Sequence, residues 1–402
     1  MNLSTIRRAL LALALIAATS LSAAAASATV TVRIDMRGPI RDGWFDPATE
    51  TVGLRGGTPP LSWGVTLPAT DPDHDGIYVV SVRFDRASGR SAFVSYKFKV
   101  DGTDNPNDGW ESDGNRPLPL PSPRSTLTRA FNAAGPDFPQ TLAAPIATYR
   151  DFASKYVSPR TVTVLLPPGY AAAHGVRYPV LYMHDGQNLF DARTAHGAEW
   201  QVDETAVKLM RSRQVASVII VGVASTPDHR MADYTPTAIA EPGSVPARTA
   251  GGSADAYGRF LVEELKPFID RTFRTMPDAA HTGLAGSSLG GLVTMYLGLK
   301  YPGTFGRLAI VSPSVWWDDH FIVKQVGLLD TRPPERIWLD IGTSESPEAA
   351  PDARLLRDAL VAKGWALGND LQYLEVEGGT HDESAWAARF GQALRFLFPP
   401  PR

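Results

Sequence analysis

His281-Thr282-Gly283-Leu284-Ala285-Gly286-Ser287-Ser288-Leu289-Gly290-Gly291 is the stretch on which the fold turns. Residues 282–285 read as a short buried strand, and residues 289–300 (LGGLVTMYLGLK) as a helix. Between them stands G-x-S-x-G, centred on Ser288. A serine on so tight a strand-to-helix turn is held in a strained backbone conformation with its hydroxyl exposed. Glycines two before and two after let neighbouring backbone pass close by. The N–H of Leu289 then lies at the helix N-terminus, where a developing oxyanion is favoured. The five letters alone are a weak signal; the flanking strand and helix give them meaning. Ser287 offers a second hydroxyl, but its offset from the glycines is wrong.

A serine nucleophile needs a base and an acid to orient it. Of the eight histidines, only His320 and His381 follow Ser288. In α/β-hydrolases the chain order is Ser, then acid, then His. His381 sits in Glu377-Gly-Gly-Thr-His381-Asp-Glu-Ser-Ala-Trp386, directly after the last predicted strand, where a loop can carry an imidazole over the sheet edge. His320 lies in an acidic, aromatic segment after an earlier strand. The acid should leave the strand between them, residues 336–341, whose exit loop is Gly342-Thr343-Ser344-Glu345. Glu345 would orient the imidazole and stabilise its charged form. Asp340 is still within that strand, and Asp352 comes later, at the start of a helix. A second oxyanion donor should come from the loop after the strand at 178–183, as the backbone N–H of Gly186 or Gln187. Asp185 shapes that loop through bonds from its side chain to backbone.

Working outward, strands alternate with helical segments from about residue 145. The pattern predicts a mostly parallel sheet with helices on both faces over residues 147–400. Predicted strands lie at 160–166, 178–183, 215–224, 282–285, 307–311, 336–341 and 371–377. Helices are expected at 198–210, 253–273, 289–300 and 385–397. Residues 29–132 instead read as all-β, a small sandwich: residues 29–36 (TVTVRIDM) alternate as a half-buried strand does, and no helical period appears. Residues 115–125 are proline-rich and mark a linker or strand-ending arm, and residues 133–146 are expected to join the two domains.

Residues 1–28 read as a cleavable signal peptide: Arg7 and Arg8, an apolar run at 9–18, and Ala26-Ser27-Ala28 as cleavage site. A secreted or periplasmic protein is expected, with no membrane attachment after cleavage. A length of 402 residues suits two domains. The net charge is −3 without a basic block, so nucleic acid is not an expected partner. With no cysteine, disulfides, thiol nucleophiles and Cys-based zinc sites are excluded. No cofactor and no metal are expected. Asp71-Pro72-Asp73-His74-Asp75-Gly76 is rich in carboxylates, but a solvated turn is the reading preferred over a calcium loop.

Five separated motifs in order carry a family resemblance: residues 182–190 (YMHDGQNLF), Trp200, Arg230 with Tyr234-Thr235-Pro236, residues 286–291 (GSSLGG) and residues 378–381 (GGTH). Over residues 145–400 the chain resembles the putative-esterase family, which includes enterochelin-type trilactone esterases, feruloyl esterases and mycolyl-transferring proteins. The resemblance implies carboxyl-ester hydrolysis by a Ser288–His381–acid triad without a metal. Many members carry Asp as the acid; Glu345 is a departure, or another carboxylate serves. The N-terminal part resembles starch-binding-type modules through residues 52–56, 61–63, 71–78, 96–98 and 110–111, and that resemblance makes Trp63 and Trp110 candidates to stack on sugar rings. Trp200, Trp316, Trp317 and Arg230 are the candidate substrate-binding residues; Arg230 binds a polar substrate group or pairs with Asp233. The expected substrate is an acyl ester of polysaccharide or hydroxycinnamate type. The alternatives are a siderophore trilactone or a non-catalytic carbohydrate-binding role.

Overall fold

The strand at the start of the described chain buries every second residue: Ala28, Val30, Val32 and Ile34 face inward along β1 (Ser27–Asp35). The structure is a computed structural model that describes residues 27–400 apart from 86–92, 103–105, 112–114, 121–123, 134–139, 196–197, 227 and 241–248. Most of the expected signal peptide therefore lies outside the described residues, and Ser27 and Ala28 open β1. Contacts divide the chain into two units, Met1–Pro136 and Asp137–Arg402, with the division inside the expected 133–146 joint.

In the first unit follow β2 (Thr51–Gly56), β3 (Leu67–Pro68), β4 (Ile77–Asp85), β5 (Phe93–Asp101), β6 (Arg116–Pro119) and β7 (Arg124–Ala130). One sheet has the order β4-β1-β7, with β1 antiparallel to β4 and parallel to β7. The other runs β3-β2-β5-β6, all antiparallel. Val32 and Phe84 from the first sheet share one apolar core with Leu54, Phe98 and Leu118 from the second. Each such side chain, fully buried, contributes about 1.5–3 kcal/mol. Two expectations need correcting. Residues 37–41 form a short helix, Arg37–Arg41, which a five-residue segment is too short to announce by periodicity. Among the described residues of the proline-rich stretch, 116–119 and 124–125 are strand rather than linker. β6 is a sheet edge, where Pro117 and Pro119 are tolerated because an edge strand leaves some N–H groups unpaired.

The second unit contains β8 (Ile146–Phe152), β9 (Arg160–Leu165), β10 (Val180–His184), β11 (Ile219–Val223), a small hairpin of β12 (Ala238–Ala240) and β13 (Thr249–Gly251), then β14 (Thr282–Ser287), β15 (Arg307–Val311), β16 (Arg336–Gly342) and β17 (Leu371–Val376). The main sheet has the order β17-β16-β15-β14-β10-β11-β9-β8. From β17 to β11 every pairing is parallel, while β9 and β8 add an antiparallel edge. Neighbouring residues on one strand enter opposite cores: Tyr182 and Leu284 join one, and Leu181, Met183 and Ala285 the other. The first core is closed by Phe260, Leu292 and Leu356, and the second by Ala206, Phe390 and Leu394, all from helices. Strands covered on both faces have no polar side to show, which is why they read as unbroken apolar runs. The helix expected from residue 198 begins only at Val202. Gln201 just before it has φ 53°, and the Trp200 N–H bonds the Asn188 carbonyl, so residues 198–201 are loop. Among the described residues no helix is long and apolar enough to cross a membrane. In open sheets of this kind the loops leaving the carboxyl ends of the strands form the ligand crevice.

Candidate active site

Ser288 follows β14 and caps the helix Leu289–Lys300 with φ 59° and ψ −124°, a conformation that costs an L-residue about 1–3 kcal/mol. The turn is held from below: the Ser288 N–H donates to the carbonyls of Val311 (3.0 Å) and Ser312 (3.1 Å) at the end of β15. Gly286 is required by space, since a Cβ there would lie 2.7 Å from His184 Cδ2 and 2.8 Å from the Gly290 carbonyl carbon. Gly290 itself meets nothing closer than 3.5 Å, so it is the glycine before the serine that permits the close approach. Ser287 is buried in β14 and offers no exposed hydroxyl.

The two chosen partners meet. His381 Nδ1 lies 2.7 Å from Glu345 Oε2. The other oxygen, Oε1, accepts from Ser312 Oγ at 2.5 Å and from the Gly342 N–H at 2.7 Å. Burial pushes the Glu345 pKa up, but hydrogen bonds from His381, Ser312 and Gly342 outweigh it and hold the group below its ordinary value. An ionised Glu345 assigns the proton to Nδ1 and leaves Nε2 as the acceptor. Among the described residues no hydrogen bond joins Ser288 to His381. The Ser288 hydroxyl lies 3.4 Å from Ser314 Oγ instead; bonds between a nucleophile and its base are often long without substrate in place. The alternatives set aside in the sequence pair elsewhere: His320 Nε2 is 2.9 Å from Asp352 Oδ1, and Asp340 is buried against Arg389 (2.8 Å).

Gly186–Asn188 form a 3-10 turn after β10. Gly186 and Gln187 open it, and the first N–H groups of a helical turn have no partner within it. A Cβ on Gly186 would sit 2.6 Å from the backbone of Gly222 and Val223, which fixes glycine there. The Gln187 side chain is tied at both ends to Ser225, each bond 3.0 Å. Asp185 works differently from expectation. Both its oxygens accept from Arg230 at 2.8 Å, so it shapes the loop through an ion pair. Arg230 accordingly does not pair with Asp233, which Arg160 takes at 2.8 Å. Behind this loop His184 is buried with Nδ1 2.8 Å from the Tyr257 hydroxyl, and burial lowers its pKa to about 3, so it stays neutral.

The aromatic wall is smaller than expected. Trp316 is 55% exposed, but Trp317 is buried, and its Nε1–H donates to the Thr237 carbonyl. Trp200 is also buried, packed on Trp386 with ring centroids 5.6 Å apart. Trp200 and Trp317 therefore present no face to a substrate and belong to the cores. In the first unit, Trp63 and Trp110 are both half-buried, 6.3 Å apart and tilted by 48°, with the Arg55 guanidinium 5.2 Å over the Trp110 ring. Asp71 folds its own turn by accepting from the N–H groups of Asp75 and Gly76.

Three residues escaped the sequence reading. Ser312 receives Nε1–H of Trp386 (3.0 Å) and Nη2 of Arg389 (2.5 Å) while donating to Glu345. Ser314 faces the Ser288 hydroxyl. Arg389 is buried between Asp340 and Glu345. The only trace in sequence was Ser312-Pro313-Ser314 at a strand exit and the i,i+3 spacing of Trp386 and Arg389.

This mixed α/β sheet, with these loops at its carboxyl edge, is the scaffold of a carboxylic ester hydrolase, as its family and the esterase relatives show. The chain belongs to the putative esterase family, whose model matches residues 154–397. Among curated relatives, the ferri-bacillibactin esterase BesA of Bacillus subtilis is 32% identical over 56% of this chain and 80% of its own. An endo-1,4-β-xylanase/feruloyl esterase of Xylanibacter ruminicola is 26% identical over 60% of this chain and 29% of its own. Among solved structures, the enterobactin esterase FES from Shigella flexneri has a TM-score of 0.58 at 16% identity and covers 87% of both chains. The BES protein from Bacillus cereus has a TM-score of 0.51 at 22% identity, covering 66% of this chain and 99% of that one.

Proposed function

We propose that the protein is a secreted serine esterase in which Ser288 is the nucleophile, His381 the general base and Glu345 the acid that orients it. The 2.7 Å contact between His381 Nδ1 and Glu345 Oε2, on loops leaving the same sheet edge as the Ser288 turn, carries this reading. Ser288 Oγ attacks the ester carbonyl while His381 Nε2 takes its proton. The oxyanion rests on the Leu289 N–H and that of Gly186 or Gln187, and the alcohol leaves with the proton from His381. Water activated by the same imidazole then frees the acid. Removing Ser288 as Ser288→Ala should abolish hydrolysis of p-nitrophenyl acetate; a mutant that keeps its rate sinks the assignment.

The substrate class that fits first is an acyl ester of hydroxycinnamate or polysaccharide type. Exposed Trp316 offers a flat apolar face, and the Trp63–Trp110 pair in a β-sandwich module supports glycan binding by the first unit. Siderophore trilactone hydrolysis is the second reading. It is favoured by BesA and by the FES structure, whose 87% coverage extends over both units of this chain. Methyl ferulate, acetylated xylan and a catecholate trilactone in one kinetic panel separate the readings. Retention on xylan or starch, lost in Trp63→Ala, tests the first unit.

A further inference from the structure

Three carboxylates crowd at the start of the helix Val202–Arg211: Glu199 in the preceding loop, and Asp203 and Glu204 in its first turn. One carboxylate oxygen of each lies within 4.8 Å of the other two. Glu199 is 6% exposed and Asp203 fully buried. Donors from the segment ahead of β8 hold one oxygen of each: Thr141 Oγ1 donates to Glu199 Oε2 at 2.8 Å, and the Ala143 N–H to Asp203 Oδ2 at 2.6 Å. The remaining oxygens, Glu199 Oε1 and Asp203 Oδ1, are buried with no hydrogen-bond partner, as is Glu204 Oε2. Each carboxylate of the cluster thus carries one buried oxygen that no donor satisfies, and Asp203 and Glu204 lie close enough to share a proton. A buried charged oxygen left without donor or cation is strongly unfavourable.

We propose that Glu199, Asp203 and Glu204 bind a hard divalent cation, Ca²⁺, at the loop that follows β10. An all-oxygen, all-carboxylate donor set suits a hard ion and not a soft one. Ca²⁺ holds oxygens at about 2.3–2.6 Å, so two of its ligands stand up to about 5 Å apart, and a cluster whose ligand atoms lie within 4.8 Å of one another is of the size one ion spans. The remaining coordination positions fall to second carboxylate oxygens and water. The surrounding charge points the same way. After burial, the charges acting on Glu199 are the carboxylates of Asp203 and Asp191, and those acting on Glu204 are Asp203 and Glu199. Burial and this repulsion both disfavour the charged carboxylates. A dication among them reverses both effects. The positive end of the helix dipole opposes a cation there, but its partial charge of about half a unit is small beside three carboxylates.

The ion would fasten three pieces of chain: the 141–143 segment, the 199 loop and the helix start. That loop is sewn to the 186–188 turn, since the N–H groups of Trp200 and Val202 donate to the carbonyls of Asn188 (2.8 Å) and Leu189 (3.0 Å). The site is independent of which ester the enzyme cleaves.

The test uses the full chain, stripped with EDTA at pH 8 and titrated with CaCl₂, read by calorimetry and thermal melting. The expected result is at least one bound Ca²⁺ equivalent that Asp203→Asn and Glu204→Gln remove and Asp73→Asn does not. At a hundred times Kd the melting temperature should rise by about 5 °C in the wild type. Asp73 is included because Asp71, Asp73 and Asp75 form an exposed acidic trio elsewhere. Two outcomes overturn the proposal. One is binding lost in Asp73→Asn and kept in Glu204→Gln. The other is no heat and no melting shift, with Glu204→Gln more stable than wild type at pH 8, which is the signature of carboxylates held by shared protons. Glu204 is the most exposed of the three, so its variant serves if Asp203→Asn does not fold.

Discussion

At the residue scale the site depends on how Glu345 is held. It is an acceptor on both oxygens, and His381 is one of four donors, with Ser312, Gly342 and Arg389. Replacing it by Gln keeps the size but removes the charge and allows the amide to present a donor to Nδ1. That favours the wrong imidazole tautomer, an effect worth about ten-thousand-fold in a Ser-His-Asp enzyme. Glu345→Gln should therefore lower kcat by three to four orders of magnitude while leaving KM for a small ester nearly unchanged. Steady-state kinetics on p-nitrophenyl acetate read both. Loss of less than tenfold would mean that another carboxylate orients the histidine. Gly286 is the second residue with a sharp expectation. A methyl group at 2.7 Å from His184 and 2.8 Å from Gly290 cannot be absorbed by a flexible side chain, because one neighbour is backbone. Gly286→Ala should fail to accumulate as folded protein or lose activity with Ser288 intact, whereas Gly290→Ala, with 3.5 Å of room, should fold.

At the element scale, the exit of β15 joins the parts of the site. Ser312 has φ 41°; its carbonyl accepts from the Ser288 N–H, and its hydroxyl donates to Glu345 while accepting from Trp386 and Arg389. Ser312→Ala leaves the buried Trp386 N–H without its acceptor and Arg389 Nη2 with only its 3.4 Å bond to Glu345, which should destabilise the fold by about 1–3 kcal/mol. It should also raise the pH at which activity is half-maximal on the acid side, since Glu345 loses a bond that favours its charged form. An unchanged pH profile with lowered stability would leave Ser312 a packing residue only. This element was not legible in the sequence. β14, β16 and β17 were, because strands covered on both faces are unbroken apolar runs that stop where the chain turns polar. Their exit loops then delivered Ser288, Glu345 and His381 in order. The bonds beneath those loops come from residues with no pattern of their own: a serine after a strand and an arginine on a helix. Trp200 and Trp317 misled for a related reason. A tryptophan is large, apolar and carries one donor, so it suits a pocket wall and a core equally, and only the neighbours decide. Here Trp386 covers one and Thr237 satisfies the other. The edge strand β6 was hidden because proline usually argues against strand, and edge position is a property of the whole sheet.

At the scale of the whole molecule, buried carboxylates set how stability follows pH. Burial is the leading cause that raises Glu199, Glu335 and Glu383 to about 7. Glu335 is the clearest, 1% exposed with neither carboxylate oxygen hydrogen-bonded. A carboxyl with a folded pKa of about 7 and an unfolded one near 4.5 binds its proton more tightly in the folded state. Below pH 4.5 both states are protonated, and the group gives no pH dependence. Between 4.5 and 7 the unfolded state releases the proton first, and stability falls as pH rises, by up to about 1.4 kcal/mol per pH unit for each group. Above 7 the slope vanishes. Glu375 has the opposite sign: the Arg354 hydrogen bond lowers it to about 2, so its contribution is lost as pH falls below 4.5. The melting temperature should therefore peak near pH 5 and be several degrees lower at pH 8. Glu335→Gln removes one ionisation without changing the shape of the side chain. It should raise the melting temperature at pH 8 by a few degrees and leave it unchanged at pH 4.5, measured by calorimetry with chelator present to keep Glu199 and Glu204 free of cation. A variant that gains nothing at pH 8 would mean that Arg332, the positive charge acting on Glu335, already holds it ionised in the folded chain.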